Sequence, residues 1–270
     1  MDGKLPGLAG EWALILGASS GFGAATAREL ARHGVNIFGV HLDRRSTIAS
    51  VEQLVQEIRA LGVEAHYFNV NAADPEKVHE TTDRIEQILA GRDRQIVRTV
   101  LHSLAFGSLK PLVAEQADDS LSVAQMEMTL NVMATSLVYW TQELVWRKLL
   151  VEGSRIYAMT SAGDQRCWPG YGAVSAAKAA LEAYIRQIAF ELAPKGITAN
   201  SIRAGVTDTP ASRKIPGAAE MFDQVRSRNP AGRMTTPEDV ARLIALLSLP
   251  GSQWVSGNVI GVDGGEELTG

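Results

Sequence analysis

The stretch from Met159 to Ala183 contains a tyrosine, a lysine and a serine whose spacing suits proton-transfer chemistry. Tyr171 and Lys178 are seven residues apart, and on a helix such residues share nearly the same face, separated by roughly 10 Å of rise. An ammonium near a phenol favours the phenolate and should lower the pKa of Tyr171, which suits a proton donor to a developing oxyanion. Ser161 ends an apolar run and is expected at the carboxyl edge of a strand, near the same oxyanion. Taken singly, these residues equally fit a helix cap, a solvated helix position and a strand end.

A glycine-rich segment, GASSGFG at residues 17–23, follows the first apolar run and leads into an alanine-rich helical pattern. Glycines permit a tight turn and close backbone approach, and free amides at a helix start attract a pyrophosphate. The GxxxGxG spacing differs from the GxGxxG fingerprint of larger dinucleotide folds. An ordinary glycine-rich turn has the same composition, but the position at the first strand-to-helix junction favours a cofactor site. The residues predicted to form it are Gly17, Ser19, Ser20, Gly21, Phe22 and Gly23.

The end of the second apolar run, VNIFGVHLDRR, carries a signal for cofactor choice. His41 stands near the point where many such folds place an acidic residue on the adenosine ribose, and Arg44 and Arg45 follow it. Guanidinium groups pair bidentately with phosphate oxygens, so NADPH is favoured and NADH stays possible. The alternative is a solvated loop in which the neighbouring aspartate neutralises one arginine. Asn69 and Val70, after the third run, are placed to meet the adenine.

These residues need elements to position them, and the whole chain alternates apolar runs with helical patterns. This alternation predicts an α/β fold with a doubly wound parallel sheet between two helical layers, in one domain over residues 1–270. Long helices are expected around 126–150 and 174–196, and the Pro- and Arg-rich residues 210–229 are expected to form a mobile cover over a substrate. The predicted strands are WALILG, VNIFGVH, VEAHYFNV, QIVRTVLHS, SRIYAMTS, ITANSIRAG and NVIGVDGG.

Composition restricts the classes of partner. Apolar residues make up 46% of the 270 residues, charged residues 21%, and the net charge is −4, so a folded chain without a nucleic-acid partner is expected. No apolar stretch approaches the roughly 20 residues of a membrane span, and the start, MDGKLPGLAGEW, lacks a signal-peptide pattern. A cytoplasmic protein without a metal site is therefore predicted. The single cysteine, Cys167, is interpreted as a packing residue, with a nucleophilic role as the alternative.

Several motifs together resemble the short-chain dehydrogenase/reductase family along nearly the full chain. They are GASSGFG, Asn131 in LNVMATS, Ser161, Tyr171, Lys178, NSIRAG at residues 200–205, Thr209 and the closing VDGG. Ordinary members place the lysine four residues after the tyrosine, whereas the spacing here is Y-x6-K. That spacing, and the run LHSLAFG ending at Gly107, resemble the enoyl-acyl carrier protein reductases.

The two long helices around Asn131 and Lys178 have more apolar residues than one sheet face needs, so a homotetramer or homodimer formed through them is expected. The resemblance implies a Rossmann fold and roles for further residues. Lys178 would hold the nicotinamide ribose and Thr209 would meet the carboxamide. Asn131 would either hold a water that leads protons to Lys178 or serve as a buried structural residue. His102 is expected to be structural rather than a general base. Further cofactor-binding residues implied by the resemblance are Ser103, Leu104, Ala105, Gly205 and Val206.

The family resemblance leaves the reaction type open. An enoyl reductase sends hydride to the β-carbon and stabilises an enolate oxygen two carbons away, so its acid must sit further from the nicotinamide than in a ketoreductase. The wider tyrosine–lysine spacing therefore predicts NADPH-dependent reduction of an enoyl thioester, with Tyr171 as acid, as in fatty acid biosynthesis. Ser161 and Asn131 instead match ordinary members, which keeps a carbonyl reductase acting on a 3-oxoacyl group or another ketone as the alternative. A cofactor-binding protein without turnover is a third possibility.

An acyl carrier protein is a possible carrier of the thioester. Arginine and lysine residues near the predicted cover would steer an acidic carrier, or would only be scattered surface charge. They are Arg203, Arg213, Lys214, Arg226 and Arg228.

Overall fold

A computed structural model describes residues 5–269, and its centre is a sheet of seven parallel strands. The strands are β1 (Trp12–Leu16), β2 (Asn36–His41), β3 (Ala65–Asn69), β4 (Thr99–His102), β5 (Arg155–Ser161), β6 (Thr198–Ala204) and β7 (Val259–Val262). Their order is β3-β2-β1-β4-β5-β6-β7, so the winding direction reverses between β1 and β4. The predicted doubly wound Rossmann-type fold is confirmed, while one domain over residues 1–270 stays a prediction.

Eight α-helices flank this sheet within the described residues. They are α1 (Gly21–Arg32), α2 (Arg45–Arg59), α3 (Pro75–Leu89), α4 (Val123–Leu130), α5 (Ser136–Trp146), α6 (Gly172–Leu192), α7 (Ala218–Arg228) and α8 (Pro237–Leu247). None of the helices between residues 5 and 269 is long and apolar enough to cross a membrane.

The helix predicted around 126–150 is divided in the structure. It begins at Val123, passes through a π-helical segment at Asn131–Thr135 and ends at Trp146. The first residue of the π-helical segment contacts another part of the fold, since Asn131 Nδ2 donates to the Ala73 carbonyl at 3.1 Å. Such π segments interrupt the regular helical hydrogen bonds and often mark functional sites.

Both faces of the sheet are covered, which explains why its strands read as continuous apolar runs. Every residue of β1 is buried. Trp12, Leu14 and Leu16 pack into the core cluster on one face, while Ala13 and Ile15 pack into the cluster on the other. The central strands are thus fixed from two sides, and their carboxyl ends form a rigid edge.

The Pro- and Arg-rich segment predicted to form a mobile cover contains a helix. α7 occupies 218–228 of it. The indole of Trp168, in the loop that precedes α6, donates to the carbonyl of Pro216 at 2.8 Å. This bond ties residues 210–217 to the loop that carries Tyr171.

Candidate active site

A cavity of about 490 Å³ opens at the carboxyl edge of the sheet, beside the reversal between β1 and β4. Open α/β sheets bind ligands at this place, and the volume suits a small molecule. Ser161, Tyr171, Lys178 and Thr209 all line it. The structure therefore brings together the catalytic residues predicted from sequence, except Asn131, which lies outside the lining.

Tyr171 meets Ser161 at the cavity wall. Tyr171 is the residue immediately before α6, and Ser161 is the last residue of β5. The two hydroxyl oxygens are 3.4 Å apart, a distance that permits a hydrogen bond at the long limit. Both groups can therefore donate to one oxyanion placed in the cavity.

Lys178 is held deeper, in the second turn of α6. Its Nζ donates to the carbonyl of Met159 at 2.8 Å, and the residue is 5% exposed. Burial lowers the pKa of Lys178 to about 8, although the negative charge of Glu182 partly opposes the fall. Lys178 is thus an ammonium at neutral pH, and one of its N–H groups donates to β5.

The expectation that Lys178 lowers the pKa of Tyr171 is wrong for this structure. Burial raises the pKa of Tyr171, the hydrogen bond with Ser161 partly opposes the rise, and the charge of Asp164 adds to it. The physical reason is position, because Lys178 directs its ammonium to the Met159 carbonyl. Tyr171 consequently keeps its proton at neutral pH, as a proton donor must.

The glycine-rich turn has the shape of a phosphate cradle. Gly17 has a left-handed φ of 87°, and a Cβ there would overlap the carbonyl of Ser103. A Cβ on Gly23 would overlap the carbonyl of Gly17. The residue before α1, Ser20, makes no side-chain cap, so the first amides of α1 stay free for an anion. These features fit the pyrophosphate of a dinucleotide.

The loop after β2 is organised by Asp43. Its carboxylate contacts His41 Nδ1 at 3.0 Å and accepts from the Thr47 hydroxyl at 2.7 Å. Burial would raise the pKa of Asp43, but hydrogen bonds from Thr47, Ser19 and His41 outweigh it and lower the pKa. The alternative in which this aspartate neutralises an arginine is therefore not what the structure shows.

The two arginines of this loop stay exposed. Arg44 precedes α2 and Arg45 begins it, and neither forms an ion pair with a residue in 5–269. Asn69 exchanges two 3.0 Å hydrogen bonds with the backbone of Asp43, so it fixes the loop. Contact of Asn69 and Val70 with adenine stays a prediction.

The segments that follow β4 and β6 form another part of the cavity wall. Ser103, Leu104 and Ala105 line it, as do Gly205, Val206 and Thr209. Glu266 also lines the cavity and was not predicted; its Oε2 accepts from the Val206 amide at 3.0 Å. Burial raises the pKa of this carboxyl group. The sequence feature that could have indicated Glu266 is the acidic pair Glu266–Glu267 directly after VDGG.

His102 is structural, as expected. Its Nε2 lies 2.8 Å from the hydroxyl of Ser136, which itself donates to the Val132 carbonyl. Burial lowers the pKa of His102 to about 3, and the charge of Lys178 adds to the fall. Asn131 makes the structural contact to Ala73 already described, and its part in a water relay stays a prediction.

Much of the cavity lining is apolar and was not recognised in the sequence. Met133 is almost fully buried, like a core residue, yet it lines the cavity. Cys167 is exposed at the cavity, so its interpretation as a packing residue is wrong. Further apolar lining residues are Phe106, Leu109, Trp168, Val174, Ile215, Met221 and Val225.

The predicted steering charges divide into three groups. Lys214 and Arg228 line the cavity, joined by Arg166. Arg213 and Arg226 are engaged in surface ion pairs with nearby aspartates. The interpretation of Arg203 as a surface charge is wrong, because its side chain is 12% exposed and lies among three carboxyl groups.

No cluster of three or more His, Cys, Asp or Glu side chains within 5–269 is arranged to hold a metal ion.

Gly23→Ala tests the phosphate cradle. The added Cβ meets the Gly17 carbonyl, and the loop must shift, so the Kd for NADPH is expected to rise by about tenfold or more. Gly261→Ala is the matched control, since no atom lies within 4 Å of its added Cβ. Isothermal titration calorimetry of both variants measures the Kd for NADPH, and an unchanged Kd in Gly23→Ala would contradict phosphate binding by the glycine-rich turn.

Comparison with known proteins places this geometry in a family. The family model described as Enoyl-(Acyl carrier protein) reductase matches residues 17–267. The oxidoreductase YjdA of Bacillus subtilis (strain 168) is 32% identical, over 94% of this chain and 95% of its own. The NADPH-dependent aldehyde reductase-like protein, chloroplastic, of Arabidopsis thaliana is 30% identical, over 96% and 94%.

A solved structure agrees in both sequence and fold. The short-chain dehydrogenase from Burkholderia cenocepacia J2315 in complex with NADP has a TM-score of 0.80 and 29% identity, covering 96% of this chain and 99% of that one. The chain belongs to the short-chain dehydrogenase/reductase family of NAD(P)-dependent oxidoreductases.

Proposed function

We propose that this oxidoreductase reduces the 2,3 double bond of an enoyl thioester with NADPH. The observation that carries the proposal is the separation of Tyr171 from Lys178: the tyrosine precedes α6, whereas the lysine binds the Met159 carbonyl two turns further on. A bound nicotinamide would supply hydride. The phenol, set apart from a ribose held by Lys178, is suited to an enolate oxygen two carbons from the carbon that accepts hydride.

The protonation states support this assignment. Tyr171 keeps its proton because burial raises its pKa, so it can hydrogen-bond the developing enolate oxygen and supply a proton. Lys178 provides a buried positive charge that would stabilise the anionic enolate. The apolar walls around Met133, Val174 and Met221 suit an acyl chain and exclude water.

Carbonyl reduction is the second candidate. It is favoured by the 3.4 Å approach of Ser161 to Tyr171, because both hydroxyls would then donate to the oxygen of the carbon that receives hydride. The relative from Arabidopsis thaliana, named as aldehyde reductase-like, also favours it.

Paired thioester substrates separate the two reactions. NADPH oxidation is followed by absorbance with a 2-enoyl thioester and, separately, with the matching 3-oxoacyl thioester. We expect consumption with the enoyl substrate and its loss in Tyr171→Phe, with NADPH binding retained. Tyr184→Phe on the same helix is the control. Consumption with only the oxoacyl substrate would replace the first proposal by the second, and a Tyr171→Phe variant with full turnover would contradict both roles of the phenol.

We propose NADPH as the preferred cofactor. Arg44 and Arg45 are exposed beside the phosphate cradle, and the NADP complex of the Burkholderia relative supports the same choice.

Replacing both loop arginines tests that preference. In Arg44→Gln/Arg45→Gln the Kd for NADPH is expected to rise about tenfold to a hundredfold through loss of charge-assisted hydrogen bonds, with the Kd for NADH unchanged. Arg32→Gln, an exposed arginine at the far end of α1, is the control. Equal weakening of both cofactors would contradict 2′-phosphate recognition.

We further propose a homotetramer or homodimer formed through α4, α5 and α6. A cytoplasmic location stays a prediction. Val123, Trp146 and Phe190 on these helices are 66%, 67% and 77% exposed, an unusual display of large apolar side chains. Small-angle scattering should give a multiple of the 29.0 kDa chain mass, and a mass equal to one chain at every concentration would contradict the assembly.

We also propose that the thioester is carried on an acyl carrier protein. The cations Arg166, Lys214 and Arg228, which line the cavity, support this proposal.

A further inference from the structure

Glu266 is a buried carboxyl group of the cavity wall that the proposed reaction does not use. It begins the short 3-10 turn Glu266–Leu268 and is 9% exposed. Its Oε2 accepts from the Val206 amide at 3.0 Å. Carboxylates are stronger acceptors for backbone N–H groups than neutral oxygens are. This side chain therefore ties the turn after β7 to the loop after β6.

The acidic turn, residues 263–269, is held in place by the first of its carboxylates. The carboxylate of Asp263 accepts from the backbone amides of Gly265 at 3.0 Å and Glu267 at 3.1 Å. Gly265 has a left-handed φ of 86°, which lets the chain reverse there. Glu267 Oε1 lies 3.0 Å from Arg203 Nη1, which joins the turn to β6. The acidic turn is thus anchored by contacts other than the one to the loop after β6.

The loop after β6, residues 205–209, borders both the phosphate cradle and the cavity. A Cβ on Gly21, the first residue of α1, would lie 3.6 Å from Thr209 Cγ2. Gly205, Val206 and Thr209 line the cavity. The cradle would hold the pyrophosphate of a dinucleotide and the cavity its nicotinamide. The loop therefore stands where the nicotinamide half of the ligand must pass.

Hydrogen bonds carry the position of Glu266 through this loop to Thr209. A Cβ on Gly205 would lie only 2.7 Å from Glu266 Oε2, so the glycine lets the carboxyl group approach the backbone. The Thr207 hydroxyl donates to the Gly205 carbonyl at 2.9 Å. The Ser212 hydroxyl donates to the Thr207 carbonyl at 2.7 Å and accepts from the Thr209 amide at 2.9 Å. A displacement of the loop at residue 206 would therefore reach Thr209.

We propose that Glu266 is a positioning residue that fixes the loop 205–209 against the nicotinamide half of the cofactor. Its carboxyl group holds the Val206 amide in place, which sets the position of Thr209 beside the phosphate cradle. The acidic turn thereby becomes part of the cofactor site. The inference rests on the nicotinamide cofactor of the proposed function and is independent of the choice between enoyl and carbonyl reduction.

The test compares the Kd for NADPH with the Kd for adenosine 2′,5′-bisphosphate, a fragment that lacks the nicotinamide half. Both are measured by isothermal titration calorimetry without a thioester. In Glu266→Ala the Val206 amide loses its acceptor, so the Kd for NADPH is expected to rise about tenfold, with the Kd for the fragment unchanged. Glu266→Gln keeps an acceptor oxygen, and its Kd for NADPH should stay within about threefold of that of the parent chain.

Glu267→Ala is the matched control. Glu267 is the neighbouring carboxylate of the same turn, is 39% exposed and contacts Arg203 instead of the loop 205–209. A partly exposed ion pair contributes little, so both Kd values should stay in place. An equal loss of NADPH affinity in Glu267→Ala would mean that the turn as a whole supports the loop, and it would overturn the role of Glu266.

Two further results overturn the proposal. One is an unchanged Kd for NADPH in Glu266→Ala, and the other is an equal rise in both Kd values, which indicates a general loss of structure. If Glu266→Ala fails to fold, Glu266→Asp withdraws the carboxylate from Val206 by one methylene, and the same selective loss is expected. Where the parent chain prefers NADH, NADH and AMP replace the two ligands. Since no thioester is present, failure of the proposed reaction is detected separately.

Discussion

The buried ammonium of Lys178 is the interaction on which the rest of the site depends. An ammonium with 5% exposure is costly unless its donors are satisfied. One donor is fixed by the Met159 carbonyl, which locks α6 against the carboxyl end of β5. With the helix held in that register, Tyr171 at its start must face Ser161, and the loop between them must close one wall of the cavity.

The same register separates two tasks that ordinary members of the family join in adjacent turns. The lysine lies deep, beside the strand, where it can hold a ribose, while the phenol lies at the helix end among apolar side chains. The glycine-rich turn follows β1, at the reversal between β1 and β4, and would hold the pyrophosphate end of the same ligand. The glycine-rich turn and Lys178 would thus set the position of the cofactor, whereas Tyr171 sets the position of the acid. The distance between Lys178 and Tyr171 is fixed by α6.

The fold, and the meeting of Ser161, Tyr171 and Lys178 at one cavity, were predictable because they depend on local patterns. Apolar runs such as WALIL mark strands buried on both faces, and the Tyr171–Lys178 spacing appears directly in the sequence. The upward shift of the Tyr171 pKa was not predictable, since it depends on how the loop after Ser161 buries the ring. Arg203 looked like a surface charge because its partners, Asp164 and Glu182, are brought to it only by the folded sheet. Cavity residues such as Met133 and Val174 cannot be told from core residues by composition.

Isotope transfer tests the central claim, that the tyrosine–lysine separation directs hydride to the β-carbon. NADPH carrying deuterium at the transferable position is mixed with the 2-enoyl and 3-oxoacyl thioesters in turn, and NMR of the products locates the label. The account predicts deuterium at C3 of a saturated thioester formed from the enoyl substrate, with a solvent proton at C2. Deuterium only on the carbinol carbon of a 3-hydroxyacyl product, with the enoyl thioester recovered unchanged, would contradict it.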